Sequence, residues 1–318
     1  MPPDAMLPKR PALAPWCRIV HDDSRVLLEH GGTLVTLEGA AARALLPTLL
    51  PLLDGSRTLE ELEAVLGPAA APAVEKALTL LAEHELLVDG PGVSEDDPAS
   101  ATAAFAAAVT RSMAPAAAAH ALEHARVTVL GSGAIARELE RLLTASGIPR
   151  VELLSLEQEP PAGAFGVAAP EQGELRMLAD LNDRALRRGD PWLQVLPFDG
   201  RFAVAGPVFL PRESACHACF ITRRAAASGF DDDFDLVERT PRRAPHPAPL
   251  VSIAAGLTAV LAVRWLTTAD PTLPGRFYAL EAGTVVGLRF DRLLRVPRCA
   301  ACGPHAQAVP SPWFEAVA

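Results

Sequence analysis

Short runs of alternating apolar and polar residues open the patterned part of the chain. From Trp16 the sequence reads as strands: Arg25-Val26-Leu27-Leu28-Glu29-His30, then Gly31-Gly32, then Thr33-Leu34-Val35-Thr36-Leu37. A glycine pair between two such runs predicts a tight hairpin, because the turn that matches strand twist needs positive φ at both central residues. Helical spacing begins after Glu38 and runs to about Leu53, interrupted by Pro47 and Pro51, and Asp54-Gly55-Ser56 stops it. Thr58-Leu59-Glu60-Glu61 is a capping box, in which Thr and Glu each satisfy the other's backbone donor, and it starts a second helix to Leu66. A third helix spans about Pro72 to His84 with Val74, Leu78 and Leu81 on one face, and Glu85 to Asp89 reads as a closing strand. Strands followed by three short helices predict a small winged helix-turn-helix over residues 16–90. Residues 1–15 hold five prolines and no period, which predicts a disordered lead-in.

The pattern changes after Gly90. Pro91-Gly92 and Ser94-Glu95-Asp96-Asp97-Pro98, followed by an Ala-rich helix ending near Met113, make residues 91–121 a linker. Residues 122–318 then show strand–turn–helix order: Arg126–Leu130, Gly131-Ser132-Gly133-Ala134-Ile135-Ala136, and a helix from about Arg137 to Ala145. A G-x-G-x-x-A turn between strand and helix is the Rossmann arrangement, in which glycine lets backbone approach phosphate. Further strands are predicted at Val151–Ser155, Gly163–Ala169, Trp192–Leu196 and Phe202–Phe209, with a helix near Leu175–Arg188. A long apolar helix over Leu250–Leu266 and a hairpin of Arg276–Leu280 with Val285–Phe290 complete the set. The fold class is therefore α/β, a Rossmann-like domain preceded by a small winged-helix domain.

Composition narrows the function. Half the residues are apolar and 5% are aromatic, as in a globular chain. The net charge of −9 argues against a general nucleic-acid binder. Between Trp16 and Gly90 five basic residues face twelve acidic ones, and the third helix offers only Lys76 to a phosphate backbone. The alternative use of such a module is β-augmentation: an extended peptide pairs with the open edge Thr33–Leu37 and lays side chains against Val74, Ala77, Leu78 and Leu81. Leu250–Val263 is apolar but short, and Arg264 ends it, so no membrane span is expected. The run Asp231-Asp232-Asp233, Asp235 and Arg242-Arg243 predicts a solvated mobile loop, with a weak magnesium site as the alternative. At the end of the second Rossmann strand Ser155-Leu156 stands where a dinucleotide site expects an acid, which argues against a nicotinamide cofactor.

Two C-x-x-C pairs, Cys216/Cys219 and Cys299/Cys302, carry the strongest chemical signal. Each spacing lets two thiolates from one turn reach one tetrahedral metal, and together they close the sphere of a structural zinc. The alternatives are two disulfides or one redox pair. The chain shows no signal-like apolar start, which favours a cytoplasmic setting and the metal. Cys17 is left over and is expected to be a small buried hydrophobe.

These residues together resemble the ThiF/MoeB adenylyltransferases related to ubiquitin-activating enzymes. The carriers are Gly131-Ser132-Gly133, Leu181-Asn182, Gly206-Pro207 before Cys216-x-x-Cys219, the apolar helix, and Cys299-x-x-Cys302. With a peptide-binding module in front, the chain is similar to the Ocin-ThiF-like proteins, also called TOMM leader-peptide-binding or F proteins. Gly189-Asp190-Pro191-Trp192-Leu193 and Val296-Pro297-Arg298-Cys299 support that likeness. The N-terminal part resembles their PqqD-like RiPP recognition element. The resemblance implies a role in azoline-bearing ribosomal peptides, including thiopeptides, with a precursor leader peptide and a separate YcaO cyclodehydratase as partners and a homodimer as a family habit. Active adenylyltransferases place a lysine, arginines and an Asp around ATP and magnesium. Here no lysine follows Lys76, and Pro170-Glu171 follows the third strand. Gly131, Ser132 and Gly133 are accordingly expected to be a vestigial nucleotide loop, with no catalytic residues, no ATP and no magnesium on this chain.

Overall fold

The computed structural model describes residues 7–22, 24–90, 96–110, 113–240 and 244–303. Residues 1–6 of the expected lead-in, positions 91–95 of the linker, Arg242-Arg243 and positions 304–318 lie outside the described residues. The chain divides into two compact units, Met1–Glu123 and His124–Ala318.

The first unit begins with strands β1 (Pro11–Leu13), β2 (Arg18–His21), β3 (Arg25–His30) and β4 (Thr33–Glu38). Gly31 and Gly32 adopt φ of 57° and 84°, the double positive φ that the two-residue hairpin between β3 and β4 demands. Helices α1 (Ala40–Leu49), α2 (Leu59–Leu66) and α3 (Ala71–Glu83) follow, then β5 (Leu87–Asp89). The capping box forms at the start of α2: Thr58 Oγ1 accepts from the Glu61 N–H at 3.3 Å, and the Glu61 carboxylate accepts from the Thr58 N–H at 2.7 Å. Strands β2, β3 and β4 make an antiparallel sheet in that order. Pro11–Leu13 corrects the expectation of disorder there. It pairs antiparallel with β5 and buries Ala12, with Pro11 at the strand start, where a missing N–H is tolerated. The Ala-rich stretch is two helices, α4 (Pro98–Thr110) and α5 (Pro115–His124), rather than one.

The core of this unit unites Val26, Leu28 and Val35 of the sheet with Leu49, Leu62, Val74, Leu78 and Leu81 of the helices. Val74, Leu78 and Leu81 recur at i, i+4 and i+7, and all three are buried in the unit's own core. There they pack with Leu28, Leu49 and Leu62. Leu78→Ala is expected to cost about 2–5 kcal/mol of stability through the cavity it leaves. A urea titration would show this as an early midpoint whether or not peptide is present.

The second unit holds β6 (Arg126–Leu130), α6 (Ala134–Ala145), β7 (Arg150–Leu154), β8 (Phe165–Ala168), α7 (Met177–Arg188), β9 (Trp192–Leu196) and β10 (Phe202–Phe209). It continues with α8 (His217–Ala226), α9 (Asp231–Arg239), α10 (Ala248–Thr268), β11 (Arg276–Ala282) and β12 (Val286–Arg292). One seven-stranded sheet runs β12-β11-β10-β9-β8-β6-β7. Strands β7, β6, β8 and β9 are parallel, and β9 through β12 are antiparallel. The parallel half places β6 between β7 and β8, so the chain reverses its winding at the carboxyl end of β6, where open α/β sheets bind ligands.

Helices α7 and α8 share a core cluster with Leu130, Ala168, Trp192, Leu196 and Phe209. Helix α10 has 21 residues, and by length and composition alone it would pass for a membrane span. Its small face, Ala254, Ala255, Ala259 and Ala262, is buried, and the helix packs on α6, β9 and β10 as a core element. The acidic run Asp231–Asp235 is helical, which corrects the loop expectation. Asp231, Asp232 and Asp233 occupy the first turn of α9, where carboxylates meet the positive end of the helix dipole. Phe234 is buried beneath Arg224, whose guanidinium carbon lies 5.6 Å from the ring centroid and which pairs with Glu238 at 2.9 Å.

Candidate functional site

The cysteine pairs converge. Cys216 caps the N-terminus of α8, Cys219 sits in its first turn, and Cys299 and Cys302 lie in the turn that follows β12. The Sγ separations are 3.9 Å for Cys216–Cys219, 3.8 Å for Cys216–Cys299 and 3.5 Å for Cys219–Cys302. A tetrahedron with metal–sulfur bonds of ~2.3 Å has edges of about 3.8 Å, so the four thiols fit one ion. All four ligand atoms lie within 4.8 Å of one another, and every cysteine is free of disulfides. Burial pushes the Cys216 and Cys219 thiols above their ordinary range. Cys299 falls to about 7: burial raises it, but the backbone N–H groups of Cys302 and Ala301 and the neighbouring thiols outweigh that. Two buried thiols that resist ionising are what a cation would have to offset.

The surroundings hold this cluster rigid. The Val296 N–H donates to Cys219 Sγ at 3.3 Å. Arg295 donates to the Cys302 carbonyl at 2.6 Å and to the Arg212 carbonyl at 2.9 Å, tying the second pair to the segment after β10. Arg223 of α8 donates to the Leu294 carbonyl at 2.7 Å. Asn182 of α7 is buried, and its Oδ1 accepts from the His217 N–H at 2.9 Å, pinning the start of α8. Burial, aided by the charge of Arg224, lowers His217 to about 3, so the ring is neutral, and its Nδ1 lies 3.0 Å from Gln194 Oε1. Cys17 belongs to the other unit, where burial and the charge of Glu29 raise its thiol.

The glycine turn is in place at the carboxyl end of β6. Gly131 has φ 144°, its N–H donates to the Leu154 carbonyl at 2.8 Å, and an added Cβ would strike the Ala169 carbonyl. Gly133 precedes α6, and a Cβ there would strike the carboxylate of Glu171. A carboxylate thus lies over the turn where the Rossmann arrangement seats a phosphate. Glu171 Oε2 is 2.9 Å from His246 Nε2, and Arg137 donates to the Ser132 carbonyl at 2.6 Å. Sequence reasoning noted Glu171 after the third strand but not what it touches. It missed His246 altogether, and nothing local marks that residue.

In the first unit, β4 pairs with β3 on one side only, so Thr33–Leu37 is an open edge among the described residues. Leu34 is 59% exposed and Val35 is buried. Ala77 is half-buried, the one expected helical anchor that keeps surface.

Fold and site define the class: a mixed α/β chain with a partly parallel sheet and a four-cysteine cluster able to hold a structural metal. No family model matches the sequence, and no curated protein matches it. Among solved structures, the heterocyclase TruD superposes with a TM-score of 0.69 at 25% identity, over 93% of this chain and 43% of that one. A heterocyclase in complex with substrate and cofactor gives 0.69 at 24% identity, over 92% and 39%. MccB of E. coli with AMPCPP and MccA gives 0.63 at 15% identity, over 92% and 99%, a likeness of fold. The chain spans less than half the length of the heterocyclases it resembles.

Proposed function

We propose that this chain is the leader-peptide recognition and partner-docking subunit of an azoline-forming cyclodehydratase in the biosynthesis of ribosomal peptides of the thiopeptide/TOMM kind, acting in the cytoplasm. The first unit, residues 16–90 with β1 added, is a PqqD-like winged-helix recognition element, and the precursor's leader adds a strand at Thr33–Leu37. The likeness to TruD supports the heterocyclase setting. In this reading a separate YcaO enzyme performs the ATP-dependent step. Tethering then raises the concentration of precursor at the partner's active site. The four cysteines hold zinc as a structural ion, which leaves no open position for chemistry.

The observation that carries the non-catalytic reading is Glu171. Adenylation needs cations around a triphosphate, and a carboxylate held over Gly133 opposes that charge. Purified chain without partner is expected to show no pyrophosphate exchange from ATP above a protein-free control, and Glu171→Ala is expected to stay at that background. A second reading, a peptide adenylyltransferase, is favoured by the match to MccB, which covers 92% of this chain and 99% of that one. Exchange that depends on added peptide would establish it and sink the scaffold reading.

A further inference from the structure

A second concave site lies in the second unit, beside the cysteine cluster. It is a cleft of about 1230 Å³ between the end of α7, the turn after β10 and the segment that follows β12. Four arginines line it, Arg187, Arg212, Arg295 and Arg298, against one carboxylate, Asp183. Elsewhere in this unit Arg141, Arg188, Arg201 and Arg224 each pair with a carboxylate. The four of the cleft have no carboxylate partner among the described residues, on a chain whose net charge is −9. Arg295 donates to the carbonyls of Arg212 and Cys302, at 2.9 and 2.6 Å, and so braces the two turns beside it.

Two of these arginines sit on strained backbone. Arg212 and Arg298 have φ of 70° and 58°, the left-handed region where a Cβ is crowded and glycine or asparagine is the ordinary occupant. Five non-glycine residues take positive φ among those described, and two of the five line this cleft. Strain kept at a concave site points to a use for the side chain. Balancing the metal does not exhaust the charge. A zinc held by four thiolates carries two negative charges, and with Asp183 these still fall short of the four guanidiniums. Arg187 stands in the last turn of α7, where the helix dipole accounts for that arginine alone.

We propose that this cleft binds an acidic stretch of the precursor peptide, its carboxylates spaced by small apolar residues. The choice of peptide rests on the recognition reading above; the chemistry of the cleft does not. Between the arginines the walls are Leu186, Val296 and Pro297, which suit short apolar side chains. A guanidinium pairs a carboxylate through two parallel N–H bonds, so the cleft reads spacing as well as charge. The first unit is the wrong place for such a stretch, since residues 16–90 hold twelve acidic residues and five basic ones. Backbone pairing at Thr33–Leu37 and charge pairing at the cleft would then hold different parts of one substrate. No aromatic residue lines the cleft among the described residues, so the stacking surface that single-stranded nucleic acid uses is missing. Small-molecule pockets span about 300–1,000 Å³, and this cleft exceeds them. The chain's own positions 304–318 hold one acid, Glu315, a poor match for four guanidiniums.

Fluorescence anisotropy with the full zinc-loaded chain and a labelled peptide of Glu-Glu-Leu repeats tests the cleft directly. Wild type is expected to bind this probe with Kd on the order of micromolar at low salt, and more weakly as salt screens the charges. Arg187→Glu is expected to weaken it about tenfold or more. Arg212→Gly and Arg298→Gly remove a guanidinium and the strain together. Each is expected to lose about tenfold in binding, with zinc content intact and a melting midpoint equal to or above wild type. Thr36→Pro is expected to bind the probe as wild type does, and the three arginine variants to weaken the precursor itself. Probe binding that all three arginine variants leave unchanged overturns the proposal, as does no binding at about 100 µM. Loss of zinc in either glycine variant assigns the arginines to the metal's charge and overturns it too. So does loss of the probe in Thr36→Pro, which places it at the first unit's edge, or tighter binding of single-stranded RNA than of the peptide. A precursor indifferent to all three arginine variants removes it as the occupant. If the arginine variants weaken the precursor while its leader ignores Thr36→Pro, the edge-pairing reading fails and the cleft stands.

Discussion

Cys219→Ser is expected to empty the metal centre and unpin the end of the second unit. Cys219 is buried, touches the Cys216 and Cys302 sulfurs at 3.9 and 3.5 Å, and accepts from the Val296 N–H. A serine oxygen is a hard, neutral ligand where a thiolate is required, so affinity collapses. Structural four-ligand zinc contributes ~10–16 kcal/mol in small domains. Here the unit keeps its own core, so the loss falls on the segment after β12 and the start of α8. A cost on the order of 5 kcal/mol is expected, or a thermal midpoint about 10–20 °C lower at roughly 2–4 °C per kcal/mol. Metal analysis should fall from one zinc per chain to near zero, while Cys17→Ser should retain the ion. Full zinc content in Cys219→Ser, or an unmoved midpoint, would remove the staple from this account.

Thr36→Pro is expected to weaken leader binding at least tenfold while the first unit stays folded. In a two-residue hairpin the pair flanking the turn is hydrogen-bonded, here His30 with Thr33. Alternation makes Leu28–Val35 and Val26–Leu37 bonded as well, so the N–H groups of Leu34 and Thr36 point to the open edge. Proline at position 36 deletes an edge donor and sets its ring in the path of an incoming strand, yet spares the β3 ladder. Binding measured by fluorescence anisotropy with a labelled leader should weaken at least tenfold, about 1.4 kcal/mol. Val35→Pro is the contrasting variant, because it breaks a bonded pair and removes a buried side chain, and should unfold the unit. If Thr36→Pro binds leader as wild type does, the peptide is held elsewhere.

Local chemistry made much of the architecture legible. Gly31-Gly32 requires the hairpin, Thr58 and Glu61 require a helix start, and the runs 192–196 and 202–209 became β9 and β10 at the bounds read from sequence. The cysteine pairs were legible because each knuckle is local and the metal's demand for four ligands joins them. What sequence could not separate was an apolar stripe packed inward from one offered to a ligand. Val74, Leu78 and Leu81 have the same spacing in either case, and only the enclosing Leu28, Leu49 and Leu62 decide it. Helix α9 was hidden because its charges look solvated, and the buried contact of Phe234 under Arg224 spans separate helices. Glu171 and His246 meet across 75 residues, a distance no local pattern encodes.

The two knuckles also impose an order on maturation. Cys216 and Cys299 are 83 residues apart, so a growing chain displays its first thiol pair long before the second exists. When the first pair emerges α8 has half a coordination sphere, and β11 and β12 are still to be synthesised. A cell short of the ion would therefore accumulate chains complete in length yet loose at β11 and β12, and quality-control proteases would meet them at that end first.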